Sequence, residues 1–180
     1  MFVKVTKNEK PLGIPYFRPP DDTNSHSFVD LRQHPEQIAL IPEIRDWPEL
    51  EATLIDLRKP GSAFRSHGCE KQFCEDGSGH GVSGYVGVWF DDISRAKSLE
   101  AHAEFFDRFQ KEALTGWPDT DTFVEFEVQP TILREENATI WSFSIWLIVR
   151  GCASQEAAKE KWSAALKFVR EFLTGQRYET

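Results

Sequence analysis

The sequence predicts an α+β fold: an antiparallel sheet of two β-hairpins, extended by N-terminal strands, with three helices packed on one face. Three observations predict it. Apolar residues recur at helical spacing in three segments, at 46–58, 98–114 and 154–174. Two pairs of strand-like segments lie between them, 63–74 with 82–90 and 122–129 with 139–149. The resulting order is helix, hairpin, helix, hairpin, helix, which suggests duplication of a helix–strand–strand unit. Helices gathered on one side of such a sheet bury both kinds of apolar stripe.

The N-terminal third is the least regular. Residues 2–6 read as a short strand, and residues 7–27 as a loop rich in Pro, Gly, Asp, Asn and Ser. That loop carries Leu12, Ile14, Tyr16 and Phe17, so it is expected to lie on the domain. Residues 28–32 suggest a second short strand, and Pro35 to Ile41 one helical turn. The expected organisation is one domain over 1–180, with 1–45 an irregular packed segment and 46–175 the helix and hairpin core.

The first helix is expected from Asp46. Asp46 with Glu49 has capping-box spacing, Pro48 suits a first turn, and Trp47, Leu50, Leu54 and Leu57 form the stripe. Lys59-Pro60-Gly61 stops it. The segment from Glu75 to Gly81 is a glycine-rich turn between the first two strands. Ser98 caps the second helix, with Leu99, Ala103, Phe106, Gln110 and Ala113 as its stripe, widened by Phe109. Ser154 opens the last helix, whose stripe is Ala158, Trp162, Ala165, Val169 and Phe172.

Composition narrows the class of function. The chain has 180 residues, 40% of them hydrophobic, enough for a folded core. Its formal charge of −8 argues against a nucleic-acid partner and suits a basic protein. Three cysteines are too few for a disulfide framework. No apolar run approaches the roughly 20 residues of a membrane span, so a cytoplasmic protein without membrane attachment is expected.

Alternation sorts the strand faces. Val82, Val86, Val88 and Phe90 join Val124, Phe126 and Val128, and Trp141, Phe143, Ile145, Leu147 and Val149, beneath the helices. The opposite face then carries Tyr85, Trp89, Phe123, Glu125, Glu127 and Trp146, with Ser142 and Ser144. Aromatic anchors beside carboxylates suit recognition of a basic protein. The competing expectation is that the N-terminal third covers this face.

One cluster suggests metal chemistry. His67, Cys69, Cys74 and His80 offer imidazole and thiolate ligands, with Glu75 and Asp76 beside them, so zinc is a candidate cofactor. Their spacing is not that of a zinc knuckle, and Cys69 and Cys74 fall on opposite faces of a regular strand unless a bulge intervenes. The run Gly77-Ser78-Gly79-His80-Gly81 lacks the lysine and following helix of a phosphate loop. Asp91 with Asp92, and Glu125 with Glu127, are paired carboxylates, with solvated acids the commoner outcome. His102 is expected as a partly buried core histidine, and His26 and His34 have no evident partners.

The leading functional expectation is a non-enzymatic protein-binding domain of the inhibitor or immunity-protein type, with no catalytic residue and no required cofactor. The alternatives are a metal-binding protein or small enzyme centred on the His67–His80 hairpin, and a structural homodimer formed through a sheet edge.

Overall fold

The computed structural model describes residues 2–17, 27–118 and 121–175. Its strands are β1 (Phe2–Lys7), β2 (Leu12–Ile14), β3 (Phe64–Asp76), β4 (Gly79–Phe90), β5 (Phe123–Leu133) and β6 (Ala138–Cys152). Its α-helices are α1 (Pro48–Leu57), α2 (Ile93–Lys97), α3 (Leu99–Gly116) and α4 (Gln155–Gly175), preceded by 3-10 turns at Pro35–Leu40 and Pro42–Ile44. The six strands form one mixed sheet in the order β1-β5-β6-β4-β3, with β2 also on β5. Pairing is antiparallel except that β1 and β2 run parallel to β5. The fold is thus α+β with a mostly antiparallel sheet.

Three details differ from the sequence expectations. Residues 28–32 form no strand; the second N-terminal strand is Leu12–Ile14. Asp46 does not cap α1: it takes φ 61°, and Trp47 stands at the N-cap without a side-chain bond. A short helix, α2, fills the connection between the strand expected at 82–90 and the helix capped by Ser98, because the Asp92 carboxylate accepts hydrogen bonds from the Ser94 and Arg95 amides. Ser98 and Ser154 do cap α3 and α4, each accepting a main-chain N–H at 3.1 Å.

The core lies between the helices and one face of the sheet, called here the helix face. Phe126 on β5 and Phe143 on β6 meet Phe105 and Phe106 of α3. On α4, Trp162 donates its indole N–H to the Leu147 carbonyl and meets Trp47 edge to face. It lies over Gly84, where an added Cβ would come within 2.9 Å of its ring. The α4 stripe is buried as expected. The α3 stripe is shifted from the expected one, with Ala101, His102, Phe105, Phe109 and Ala113 buried while Leu99 is 53% exposed. Adjacent phenylalanines at 105 and 106 make either stripe plausible by spacing; both rings reach Phe126 and Phe143, and the fold buries Phe105 fully and Phe106 in part.

Among the described residues, no helix is long and apolar enough to cross a membrane.

Candidate functional site

The face opposite the helices, the far face, is ordered in rows set by strand register. Lys4, Glu125, Trp146, Tyr85 and Glu70 line up across all five paired strands. The neighbouring row is Thr6, Glu127, Ser144, Gly87 and Gly68. The first row is large and charged; the second is small. That contrast divides the face in two.

The uncovered half centres on Tyr85 and Trp146, whose ring centroids lie 4.6 Å apart. Trp146 donates its indole N–H to Glu127 at 3.1 Å, which holds the ring in place. Glu127 also accepts from the Asn8 side-chain amide at 3.0 Å. Both donors are neutral, so these bonds leave the negative charge of Glu127 uncancelled. Glu125 accepts from the Thr6 hydroxyl at 2.7 Å and pairs with Lys4 at 3.5 Å. Phe123 and Ile148 continue the apolar surface at the adjoining row, both half-buried. The structure therefore brings Tyr85, Phe123, Glu125, Glu127 and Trp146 together on one surface.

Comparison of the chain with family models, characterised proteins and solved structures finds no match.

Trp89 belongs to the other half and is corrected here. It shares the far face, but only 2% of it is exposed. The His67 ring stacks beside it, Phe28 lies 6.5 Å from it and the Arg65 guanidinium sits over it at 5.2 Å. Arg65 is itself held by Asp30. The N-terminal segment thus closes this end of the sheet. Tyr16 donates its hydroxyl to the His67 carbonyl at 2.9 Å, and Arg32 donates to the Ser62 and Phe64 carbonyls. Cover by the N-terminal third, one of the two sequence expectations for the far face, is thus present over its Trp89 end.

His67 makes the cover possible. It sits at a bulge between Ser66 and Gly68, and its ring fills the space above Gly87 that any side chain there would occupy. A glycine within a strand often marks such a close approach. Burial pushes the His67 imidazole down to about 4, against a smaller upward pull from a hydrogen bond to the Phe143 backbone. It is neutral at pH 7.

The expected metal cluster is not assembled. Cys69 pairs across from Val86 on the helix face, whereas Cys74 leans over Gly81 on the other side of the strand. The bulge precedes both cysteines and so leaves them on opposite faces. His80 pairs across from Glu75 near the hairpin tip, with 3.6 Å between imidazole and carboxylate. At about 3.3 Å per residue, the His67 and His80 positions are separated by roughly 20 Å along β4. Among the described residues, no group of three or more His, Cys, Asp or Glu side chains could hold a metal ion. Burial, then the charges of Glu43 and Glu70, push the Cys69 thiol far above its usual range, where it is a poor nucleophile.

The remaining candidates have structural roles. Asp91 pairs with Arg32 at 2.6 Å, and Asp92 caps α2. His102 is buried, with Nδ1 2.7 Å from the Ser98 carbonyl, and burial lowers its pKa. His34 is exposed beside Glu36; His26 lies outside the described residues.

One feature escaped sequence reading. A cleft of about 440 Å³ runs along the outer side of β3, lined by Tyr16, Leu31, Ile41, Glu43, His67, Cys69, Glu70 and Tyr85 among others. Its walls come from segments 27–31 and 41–43, far from β3 in sequence. Only Gly68, a glycine inside a strand, hinted at it: an added Cβ there would meet the hydroxyls of Tyr16 and Tyr85 at 3.1 and 3.6 Å.

Proposed function

We propose that this chain is a non-enzymatic protein-binding domain, of the inhibitor or immunity-protein type, that engages a basic protein partner through the uncovered half of its far face. The observation that carries this is the Tyr85–Trp146 pair. Two large rings stay partly exposed on a sheet face, tilted against each other at 4.6 Å and anchored by a carboxylate. Preorganised aromatic rings lose little side-chain entropy on binding and are enriched among the residues that dominate interface energy. The uncancelled charge of Glu127 beside Trp146, within a chain of net charge −8, favours a partner bearing Lys or Arg. Unpaired Cys69, Cys74 and Cys152 suit action in the reducing cytoplasm.

The test begins with affinity capture and identification of a retained protein, followed by titration of that purified protein. Trp146→Ala should weaken binding at least about tenfold, and Glu127→Lys should weaken it and reduce its salt dependence. Equal affinity for wild type and both variants, each folded by circular dichroism, rejects this surface.

A further inference from the structure

β3 is an edge strand, and it is protected along only part of its length. Its outer side near Phe64 to His67 is occupied by Arg32 and Tyr16, which bond to the carbonyls of Phe64 and His67. From Gly68 to Asp76 the strand continues for nine residues, and β4 is its one strand neighbour among the described residues. A long unpaired edge offers main-chain N–H and C=O groups to any extended segment laid beside it. The cleft of about 440 Å³ opens along this same side, between Cys69–Gln72 and the 41–43 segment.

Acidic groups predominate along it, with Lys71 the one basic residue that also lines the cleft. Glu70, Glu75 and Asp76 stand exposed on the strand, and Glu43 faces it across the cleft. The one basic residue of this stretch, Lys71, is turned onto the helix face, its ammonium 5.2 Å from the centre of the Trp47 ring. Glu43 and Glu70 both line the cleft, together with Cys69.

We infer that the free edge of β3, from Gly68 to Asp76, takes an extended Lys- or Arg-bearing segment of a protein partner as an added strand, with one cationic side chain entering the cleft between Glu43 and Glu70. This deepens the proposed protein-binding function by naming a partner chemistry and a second contact beside the Tyr85–Trp146 surface, since Glu70 belongs to the same row. Main-chain bonds along the edge supply sequence-tolerant affinity, and the acidic cleft supplies selection for a cation.

The test uses the full chain and synthetic peptides. The probe is an eight-residue peptide alternating Lys and Val. Three controls accompany it: the same peptide with Glu for Lys, and two Lys peptides N-methylated at alternate residues, one in each register, so that each lacks the hydrogen bonds of one edge. Amide chemical shifts are followed by NMR. The expected result is saturable binding of the Lys peptide, with changes concentrated at residues 43 and 66–76. Binding is lost with the Glu peptide and weakened at least about tenfold by N-methylation of the docking edge. Glu70→Lys, on an exposed side chain, should weaken the Lys peptide about tenfold without unfolding the domain. The proposal is overturned if the Lys peptide gives no changes up to about 1 mM. It is also overturned if both N-methylated registers bind as well as the parent, or if the edge is instead occupied by a second copy of the chain. Changes confined to Tyr85, Phe123 and Trp146 overturn the edge site and leave the sheet-face proposal standing.

Discussion

The two halves of the far face share strands β4, β5 and β6 and yet end differently. At the Trp89 end, the rows contain Gly68, Gly87, Ser142, Ser144 and Thr131. Such small residues leave a trough, and the His67 ring, Tyr16 and Phe28 fill its Trp89 end. The buried Thr131 and Ser142 hydroxyls there pair with each other at 2.7 Å. At the Tyr85 end, Trp146, Tyr85, Glu125 and Glu70 fill their own row. Side-chain size therefore decides which half of a sheet face recruits cover from its own chain and which stays available. Face polarity does not decide it, because both halves mix aromatic and polar residues.

The largest expected contrast is between the two tryptophans. Trp89→Ala should cost about 3–5 kcal/mol, because it empties a closed site. Trp146→Ala should cost under about 1.5 kcal/mol, because solvent already reaches that ring. Urea unfolding of both variants measures the difference, and equal losses would erase the division of the face.

Acid should weaken the covered half next. His67 titrates at about 4 in the folded protein and near 6.5 in the unfolded chain. Above pH 6.5 neither state carries the proton. Between 6.5 and about 4 the unfolded chain takes it up first, so stability falls as pH falls through that window and levels off below it. The expected loss is about 3 kcal/mol, with burial of His102 adding in the same direction. His67→Gln should flatten the midpoint of urea unfolding plotted against pH; an unchanged slope would detach His67 from the effect.

Gly87→Ala should destabilise by about 1–3 kcal/mol, since a Cβ there collides with the His67 ring. Gly77→Ala, at the open hairpin tip, should stay within about 0.5 kcal/mol. Thermal melts of the pair separate close packing from a general glycine effect. A modest change is expected from Tyr16→Phe, which removes one hydrogen bond to the His67 carbonyl and should cost about 1 kcal/mol. Faster amide exchange at residues 27–32, with residues 123–127 unchanged, would locate that loss in the cover.

Much of this architecture was legible along the chain. The α4 stripe, the serine caps at 98 and 154, and the alternation of 122–129 are local signals, and each survives folding because local propensity and burial agree. Where two local patterns competed, as at Phe105 and Phe106, spacing could not choose. The site was half legible. Strand alternation assigns Tyr85, Glu125, Glu127 and Trp146 to one face before any coordinates are known. Trp89 obeys the same alternation and is nevertheless sealed, because His67 and Arg65 of the neighbouring strand and Phe28, more than 50 positions away, close over it. The β3 cleft was invisible for the same reason.

Local periodicity thus determined the long strands and helices, the α4 stripe and the sorting of strand faces, since those depend on residues a few positions apart. Tertiary structure decided the parallel docking of β1 and β2 on β5, the burial of Trp89, the separation of His67 from His80, and the free edge of β3. Each of these depends on which distant segment fills a space first, and that is settled by the fit of side chains across the whole sheet rather than by any pattern within one strand.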